Sequence, residues 1–389
     1  MRVLFLTHAY PRHSGDVPGS FLHLLALCLV DAGVDVRVIA PHANGLADRA
    51  NVDGIPVIRY RYAPDEHETL AYTGAMVAEV RASLRGKMSL LRMLSEGKRE
   101  LMREARGWKP DVIHAHWWFP SGMSAVRAAR QLQLPLVVTL HGSDVRLARG
   151  IAPARAIFRR VAGRTSAVTA VSEYLANVAR HMAPDVNVLT LPMPVEVGRF
   201  SPPEPGEARS ANTLLFVGRL TEQKGINLAL DALARLPEDI RLHIVGDGPE
   251  HANLEAHAAR IGVAARVGFL GSRPPAQLPR LYREAAAVVV PSHEEGLGLV
   301  AVEAVLCGTP VVAFASGGLV DALDNGRAGT LVPPGNVDAL TDALREVLAN
   351  PEAARERARN GRARAMDLHA PANATARYLD LYERVRALG

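Results

Sequence analysis

Residues 287–314 read AVVVPSHEEGLGLVAVEAVLCGTPVVAF. The run Ala287–Val290 is wholly apolar. Pro291-Ser292 ends it, a glycine-bearing loop follows, and an apolar helical pattern extends from about Gly298 to Leu306. After Gly308-Thr309-Pro310 a second apolar run, Val311–Phe314, begins. Continuous apolar runs of this length fit parallel strands covered on both faces, and a helix between them makes a βαβ unit. The same alternation fills the chain. Further strand candidates are Val3–Thr7, Val36–Ala40, Asp111–Ala115, Leu136–Leu140, Ala167–Val171, Val188–Leu191, Thr213–Val217, Arg241–Val245, Arg266–Leu270 and Thr330–Val332. The class is therefore α/β.

At Leu191–Ala211 the periodicity lapses, and five residues of LPMPVEVGRFSPPEPGEARSA are proline. This segment reads as a boundary. It gives an N-terminal domain over 1–191, a linker over 192–211, a C-terminal domain over 212–369 and a terminal helix over 370–389 that packs back on the first domain. Six strand candidates on either side fit two doubly wound sheets, whose ligands bind beyond the carboxyl ends of the strands. The chain of 389 residues is long enough for both. Its longest apolar stretch, Phe21 to Val30, contains His23 and falls short of a membrane span. The start lacks the features of a signal peptide. Two cysteines, Cys28 and Cys307, sit in apolar helical patterns, so the expectation is no disulfide and a cytoplasmic location. A net charge of +5 favours anionic partners without choosing among them.

Two glutamates bracket the glycines of the opening stretch. Glu295 belongs to the loop and Glu303 lies roughly 5–10 Å further along the helix. Ionised carboxylates accept bonds from sugar hydroxyls, and the free N–H groups of Gly298, Leu299 and Val300 at the helix start suit a phosphate. Capping accounts for Glu295 alone. Glu303 lies on the apolar face of Leu299, Val302 and Leu306, where a carboxylate is costly unless something binds it. Upstream, LLFVGRLTEQKGINLALDAL over 214–233 places Arg219 and Lys224 at a strand-to-helix turn. Two cations there suit a diphosphate, and two solvated surface cations are the alternative. Gly246-Asp247-Gly248-Pro249 is a turn that either approaches a nucleoside or is an ordinary βα loop.

The series Phe216-Val217-Gly218-Arg219…Lys224-Gly225, Val245-Gly246-Asp247-Gly248-Pro249, Pro291-Ser292…Glu295-Gly296-Leu297-Gly298…Glu303-Ala304, Gly308-Thr309-Pro310-Val311-Val312 and Gly317-Gly318 resembles the retaining glycosyltransferases of group 1. These enzymes transfer sugars from nucleotide donors in envelope glycan and glycolipid synthesis. The first half resembles them more loosely, through Gly15 and Gly19, Leu140-His141-Gly142-Ser143-Asp144 and Phe200-Ser201-Pro202. The resemblance implies a GT-B fold, two facing Rossmann-like doubly wound parallel-sheet domains. It implies a donor site of Gly15, Gly19, Gly218, Gly246, Asp247, Gly248, Gly296, Leu297, Gly298, Leu299, Val300 and Glu303, with Glu303 on the ribose. Arg219 and Lys224 would stabilise the departing diphosphate, Glu295 would hold the donor sugar, and His141 would touch it near the reacting carbon. It further implies retention of configuration with no metal and no cofactor. UDP is the expected nucleotide by family frequency, with GDP and dTDP open. Where relatives usually read Pro-Asn-Gly-Val-Asp, this chain has Pro192-Met193-Pro194-Val195-Glu196, so the hinge turn is expected to differ.

The stretch Asp111–Pro120 holds His114, His116, Trp117 and Trp118. His114 and His116 share a strand face and His141 follows the next strand, a spacing that suggests zinc but lacks a carboxylate or thiolate in company. An acceptor-side wall of His116, Trp117 and Trp118 is the reading adopted, with a packed strand end as its alternative. Met76–Gly107 carries Val77, Val80, Leu84, Met88 and Leu91 at helical spacing among Arg81, Arg85, Lys87, Arg92, Lys98 and Arg99. It reads either as a helix covering the first sheet or as a peripheral contact with an anionic membrane on its inner face. The expected partners are thus a nucleotide sugar and a glycan, lipid-linked or small-molecule acceptor, and not nucleic acid. Two rivals are a sugar-nucleotide epimerase of the same build, which needs no acceptor, and a non-catalytic sugar-nucleotide-binding protein.

Overall fold

The computed structural model describes residues 1–72, 76–204 and 206–387. Pro205 of the proline-rich segment and Leu388 of the expected terminal helix lie outside them. The chain forms two compact units, Met1–Pro194 with the stretch from Pro371 onward, and Val195–Ala370.

The strands of the first unit are β1 (Arg2–Leu6), β2 (Asp35–Pro41), β3 (Arg49–Val52), β4 (Ile55–Tyr60), β5 (Val112–His116), β6 (Leu136–Leu140), β7 (Ala167–Ala170) and β8 (Val188–Thr190). They form one sheet in the order β3-β4-β2-β1-β5-β6-β7-β8. All neighbours are parallel except the edge pair β3 and β4, which the apolar-run reading passed over. These two are joined through Asp53 and Gly54, whose φ values of 49° and 92° are both positive, as a two-residue hairpin turn requires.

The second unit contains β9 (Thr213–Val217), β10 (Arg241–Val245), β11 (Val267–Gly271), β12 (Ala287–Val290), β13 (Val311–Phe314) and β14 (Thr330–Val332). The sheet is wholly parallel, in the order β11-β10-β9-β12-β13-β14. Its unbroken apolar runs have a simple cause. Leu214, Phe216, Val289, Val312 and Phe314 enter the core on one face. Leu215, Val288, Val290, Val311 and Ala313, the alternate residues, enter the core on the other, against Ala301, Val302 and Val305 of the helix Leu299–Leu306.

The chain leaves the first unit at Pro194. Val195 and Phe200, within the proline-rich segment, already belong to the core of the second unit. The Val195 N–H donates to the His369 carbonyl at 2.8 Å, and Arg209 donates to Ala285 O at 2.9 Å and Thr309 Oγ1 at 3.0 Å. The segment is therefore strapped to its unit on both sides of Pro205. The helix Pro351–His369 ends before Pro371, which opens the terminal helix Pro371–Ala387 and belongs to the first unit. Tyr378, Leu381, Tyr382 and Val385 are buried there. Cys28 and Cys307 are both buried, and no disulfide joins them.

Candidate functional site

The order of the second sheet reverses between β9 and β12, the topological switch point at which a doubly wound sheet opens a crevice beyond its strand ends. The loop after β9 carries Gly218, Arg219 and Lys224, and the loop after β12 carries Glu295 to Gly298. The two loops meet directly. Lys224 Nζ donates to Glu295 Oε1 at 2.5 Å, with Ser292 Oγ donating to the same oxygen at 2.9 Å. Gln223 Nε2 donates to Glu294 O at 2.6 Å, and the His293 N–H donates to Gln223 O at 2.9 Å. Arg219 is exposed and forms no ion pair among the described residues. Lys224 is thus held in the site by a carboxylate, and Arg219 stands open to an anion.

The flanking loops close on this pair through glycine. A Cβ at Gly246 would lie 1.9 Å from the Gly218 carbonyl oxygen, and one at Gly317 would lie 2.2 Å from that of Glu295. The Gly318 N–H donates to the same Glu295 carbonyl at 2.9 Å. The turn at Gly246-Asp247-Gly248 therefore needs glycine because it touches the neighbouring loop, a reason its sequence did not disclose. Asp247 is exposed, and its carboxylate accepts the Gly248 N–H at 2.7 Å.

Gly298, with φ 80°, caps the helix Leu299–Leu306. The first helical bonds run from the Ala301 and Val302 N–H groups to Gly298 O, so those of Leu299 and Val300 stand outside the ladder and aim at the loop. Gly296 and Leu297 form the approach, with Leu297 buried. Glu303 lies on the partly buried side of the helix and has a partner that sequence reading missed. The Tyr282 hydroxyl, from the helix Leu278–Glu284, donates to Glu303 Oε2 at 2.7 Å. Burial drives the Glu303 carboxyl up to about 7, although the Tyr282 bond and the Arg199 charge pull the other way. Tyr282 lies 21 residues upstream on another helix, so no local pattern links the two.

The first unit brings together its own set at the carboxyl ends of β1, β5 and β6. His116 Nδ1 lies 3.2 Å from His141 Nε2. The Trp117 ring packs against His141 at 4.4 Å between centroids and against His8 at 4.3 Å. Trp117 holds φ at 63°, a strained value for a bulky residue and one that clusters at functional sites. Burial pushes His141 and His116 well below the ordinary histidine range and lowers His8 to about 4 and His114 to about 3, so this cluster is neutral at pH 7. His114 is spent on Tyr382 OH at 2.7 Å and Thr139 Oγ1 at 2.6 Å, which leaves it no lone pair for zinc. Among the described residues the side chains close enough to share an ion are instead His42, Asp65 and Glu68. There the His42 ring is already engaged by Glu68 and by Leu46 O.

The acceptor wall needs correcting. Trp118 is 1% exposed and its indole N–H donates to Asp144 O at 2.7 Å, so it lies beneath the surface and offers no face to a ligand. His116 is wholly buried as well. Trp117 keeps a thin exposed edge. Asp144, quoted in the motif with His141, has the larger structural role. Its carboxylate accepts the N–H groups of Trp118, His141, Gly142 and Val145 at 3.0–3.1 Å, tying the loop after β5 to the loop after β6. Burial raises it to about 6 against those four bonds. Gly19, with φ 76°, starts the helix Ser20–Asp31 in close contact with Ala9 O, whereas Gly15 has open space around it.

An open parallel sheet that joins a lysine–carboxylate pair, an unpaired arginine and a helix start at its switch point is a nucleotide-binding α/β enzyme in build. The chain belongs to the glycosyl transferases group 1: that family's model matches residues 199–364, and a glycosyl transferase 4-like domain matches residues 18–194. A glycogen synthase of Mycobacterium tuberculosis is 32% identical over 94% of this chain and 90% of its own length. A D-inositol 3-phosphate glycosyltransferase of Acidothermus cellulolyticus is 36% identical over 69% of this chain and 66% of its own. Among solved structures, a sucrose-phosphate synthase of Thermosynechococcus elongatus superposes with a TM-score of 0.85 at 22% identity, each chain covered fully. HepE of Anabaena, solved with UDP and glucose, gives 0.77 at 20% identity over 99% of this chain and all of its own. The fold is GT-B, and the protein is a glycosyltransferase that uses a nucleotide sugar. No helix among the described residues is long and apolar enough to cross a membrane.

Proposed function

We propose that the protein is a retaining, metal-independent glycosyltransferase that moves a sugar from a UDP-linked donor to a glycan, lipid-linked or small-molecule acceptor. The observation that carries this reading is the pairing of Lys224 with Glu295 across the switch point, beside the unpaired Arg219 and the start of the helix that bears Glu303. Arg219, Lys224 and the Leu299 and Val300 N–H groups receive the charge that grows on the diphosphate as the sugar C1–O bond breaks. The acceptor oxygen attacks C1 on the face the diphosphate leaves, and its proton passes to the departing phosphate. Two cations at the leaving group, Lys224 held by Glu295 and Arg219 open to the anion, supply the work that a divalent ion performs elsewhere, which supports the metal-free reading. Glu295 and the backbone at Gly296 to Gly298 hold the donor sugar, and Glu303 accepts the ribose hydroxyls. By the family resemblance Gly15, Gly19 and the neutral His141 are further donor-binding candidates. UDP is favoured because HepE, which shares the fold, was solved with it.

The test is calorimetric titration with UDP, GDP and dTDP on the wild type and on Glu303→Ala. Loss of a charged acceptor should weaken binding by about 1.5–3 kcal/mol, roughly ten- to a hundred-fold. UDP binding that ignores Glu303 would sink the ribose assignment. Activity that vanishes in chelator, or a product of inverted anomeric configuration by NMR, would sink the rest.

A further inference from the structure

The first unit carries an apolar stripe that none of its described residues covers. The helix Leu84–Trp108 buries Gly86, Ser89, Met93, Gly97, Leu101, Glu104 and Ala105 at three- and four-residue spacing, so one face is spent on the sheet. Gly97 lies against the Tyr60 ring on that side. On the opposite face of the first two turns, Leu84 is 79% exposed, Met88 55% and Leu91 60%, and Val77 on the preceding helix Met76–Ala82 is 42% exposed. Among the described residues these are four of the seven large hydrophobic side chains left in water. Scattered exposed hydrophobics need no explanation, but residues at i, i+4 and i+7 line up in one row.

Charge flanks the row on both sides. At 100° per residue, Lys87 stands on one flank of Leu84, Met88 and Leu91, and Arg85 and Arg92 on the other. Arg81 adds a fourth cation from the preceding helix. All four are exposed, and none forms an ion pair among the described residues. Further along the same helix the pattern changes: Arg99 is bonded to Glu96 and Arg103 to Glu100. The nearby carboxylate, Glu79, is turned onto the Thr69 hydroxyl. Beside the apolar stripe, by contrast, four exposed cations stand together with no carboxylate paired to any of them among the described residues.

We propose that Leu84, Met88 and Leu91, with Val77 and the cations Arg81, Arg85, Lys87 and Arg92, form a docking surface for an anionic lipid bilayer. The helix lies in the headgroup plane with its apolar row in the acyl boundary and its cations at the phosphates. Charge decides the occupant. A second copy docked about a two-fold axis would set these cations against their own equivalents. An uncharged surface would leave four desolvated cations unmatched. The surface is independent of the donor assignment, since every residue in it lies in the first unit.

The experiment is co-sedimentation of the full chain with vesicles of phosphatidylcholine, with and without phosphatidylglycerol, at low and high salt. The expected result is retention on the anionic vesicles only, weakened by salt. Removing two cations in Arg85→Gln/Arg92→Gln should lower the partition roughly twenty-five-fold, about fivefold for each charge. Leu84→Ser/Leu91→Ser should abolish retention, and both variants should titrate with nucleotide as the wild type does, because these side chains are exposed and lie outside the donor loops. Equal retention on both vesicle types, no retention on either, or retention indifferent to both variants overturns the proposal. So does a dimer in sedimentation velocity that Leu84→Ser/Leu91→Ser dissolves, since a second copy would then own the surface.

Discussion

At Glu303 two demands meet on one carboxyl. Burial lifts it to about 7, above the ordinary glutamate range, so the folded protein binds its proton more tightly than the unfolded chain does. The stabilising contribution of this group is accordingly whole below the unfolded value and is lost as pH rises through about 7. Ribose hydroxyls, in contrast, donate to the ionised form. Nucleotide affinity is therefore expected to rise from pH 6 to pH 8 while this group's contribution to stability falls, and Glu303→Gln should flatten both trends. Calorimetry and thermal melts across that range read the two together; an affinity that falls with pH contradicts the ribose role. Lys224 answers to a different demand. Its ammonium is pinned by Glu295, so Lys224→Met should leave Glu295 held by Ser292 alone and lower kcat by about a hundred- to a thousand-fold, the cost of losing one donor to a developing charge. A change confined to KM would mean that Lys224 binds the ground state only. The glutamates and cations were legible because charge at a strand end or on an apolar helix face is unusual in itself. Tyr282 and the linking carboxylate of Asp144 were not, because their partners come from other elements and leave no spacing to read.

The elements repeat that contrast. Parallel strands buried on both faces announce themselves as apolar runs, and all six of the second sheet were placed within a residue or so. The edge pair β3–β4 was missed because Arg49-Ala50-Asn51-Val52 is half polar, exposed on one side and dependent on a turn for its place. Its signal was the Asp53-Gly54 dipeptide, which a search for apolar runs passes over. The loops carry a sharper test. Gly317 combines φ 58° with a Cβ position 2.2 Å from the Glu295 backbone, whereas Gly15, at φ 77°, has nothing within 4 Å. Gly15→Ala should cost about 1–2 kcal/mol from the left-handed backbone alone. Gly317→Ala should cost more, because the loop that presents Glu295 must move, and nucleotide affinity should fall with it. Chemical denaturation with a parallel titration separates strain from displacement. Equal costs at the two positions would mean that the loop yields freely and that its closeness does not position Glu295.

At the scale of the whole molecule, the last helix returns to the first unit after the chain has completed the second. It brings the Tyr382 hydroxyl to His114 Nδ1 at 2.7 Å and the Tyr378 hydroxyl to Leu191 O at 3.3 Å, close to where the chain leaves that unit. Tyr378 and Tyr382 are wholly buried, so ending the chain at Ala370 would strip two aromatic side chains and two aliphatic ones from the first core. Each large side chain removed is worth about 2–5 kcal/mol, and the total stability of a domain is only about 5–15 kcal/mol. The truncated protein should therefore lose the cooperative unfolding of its first unit. The second unit, whose core and donor loops lie within Val195–Ala370, should keep its own transition and its nucleotide. Bound nucleotide stabilises the state that binds it, by about 2.7 kcal/mol at a hundred times Kd. Calorimetric scans with and without UDP should thus show two transitions in the intact chain, only one shifted by nucleotide, and the shifted one alone after truncation. A single transition in the intact chain that moves as a whole with UDP, and vanishes on truncation, would show that the two units fold as one and that the terminal helix secures both.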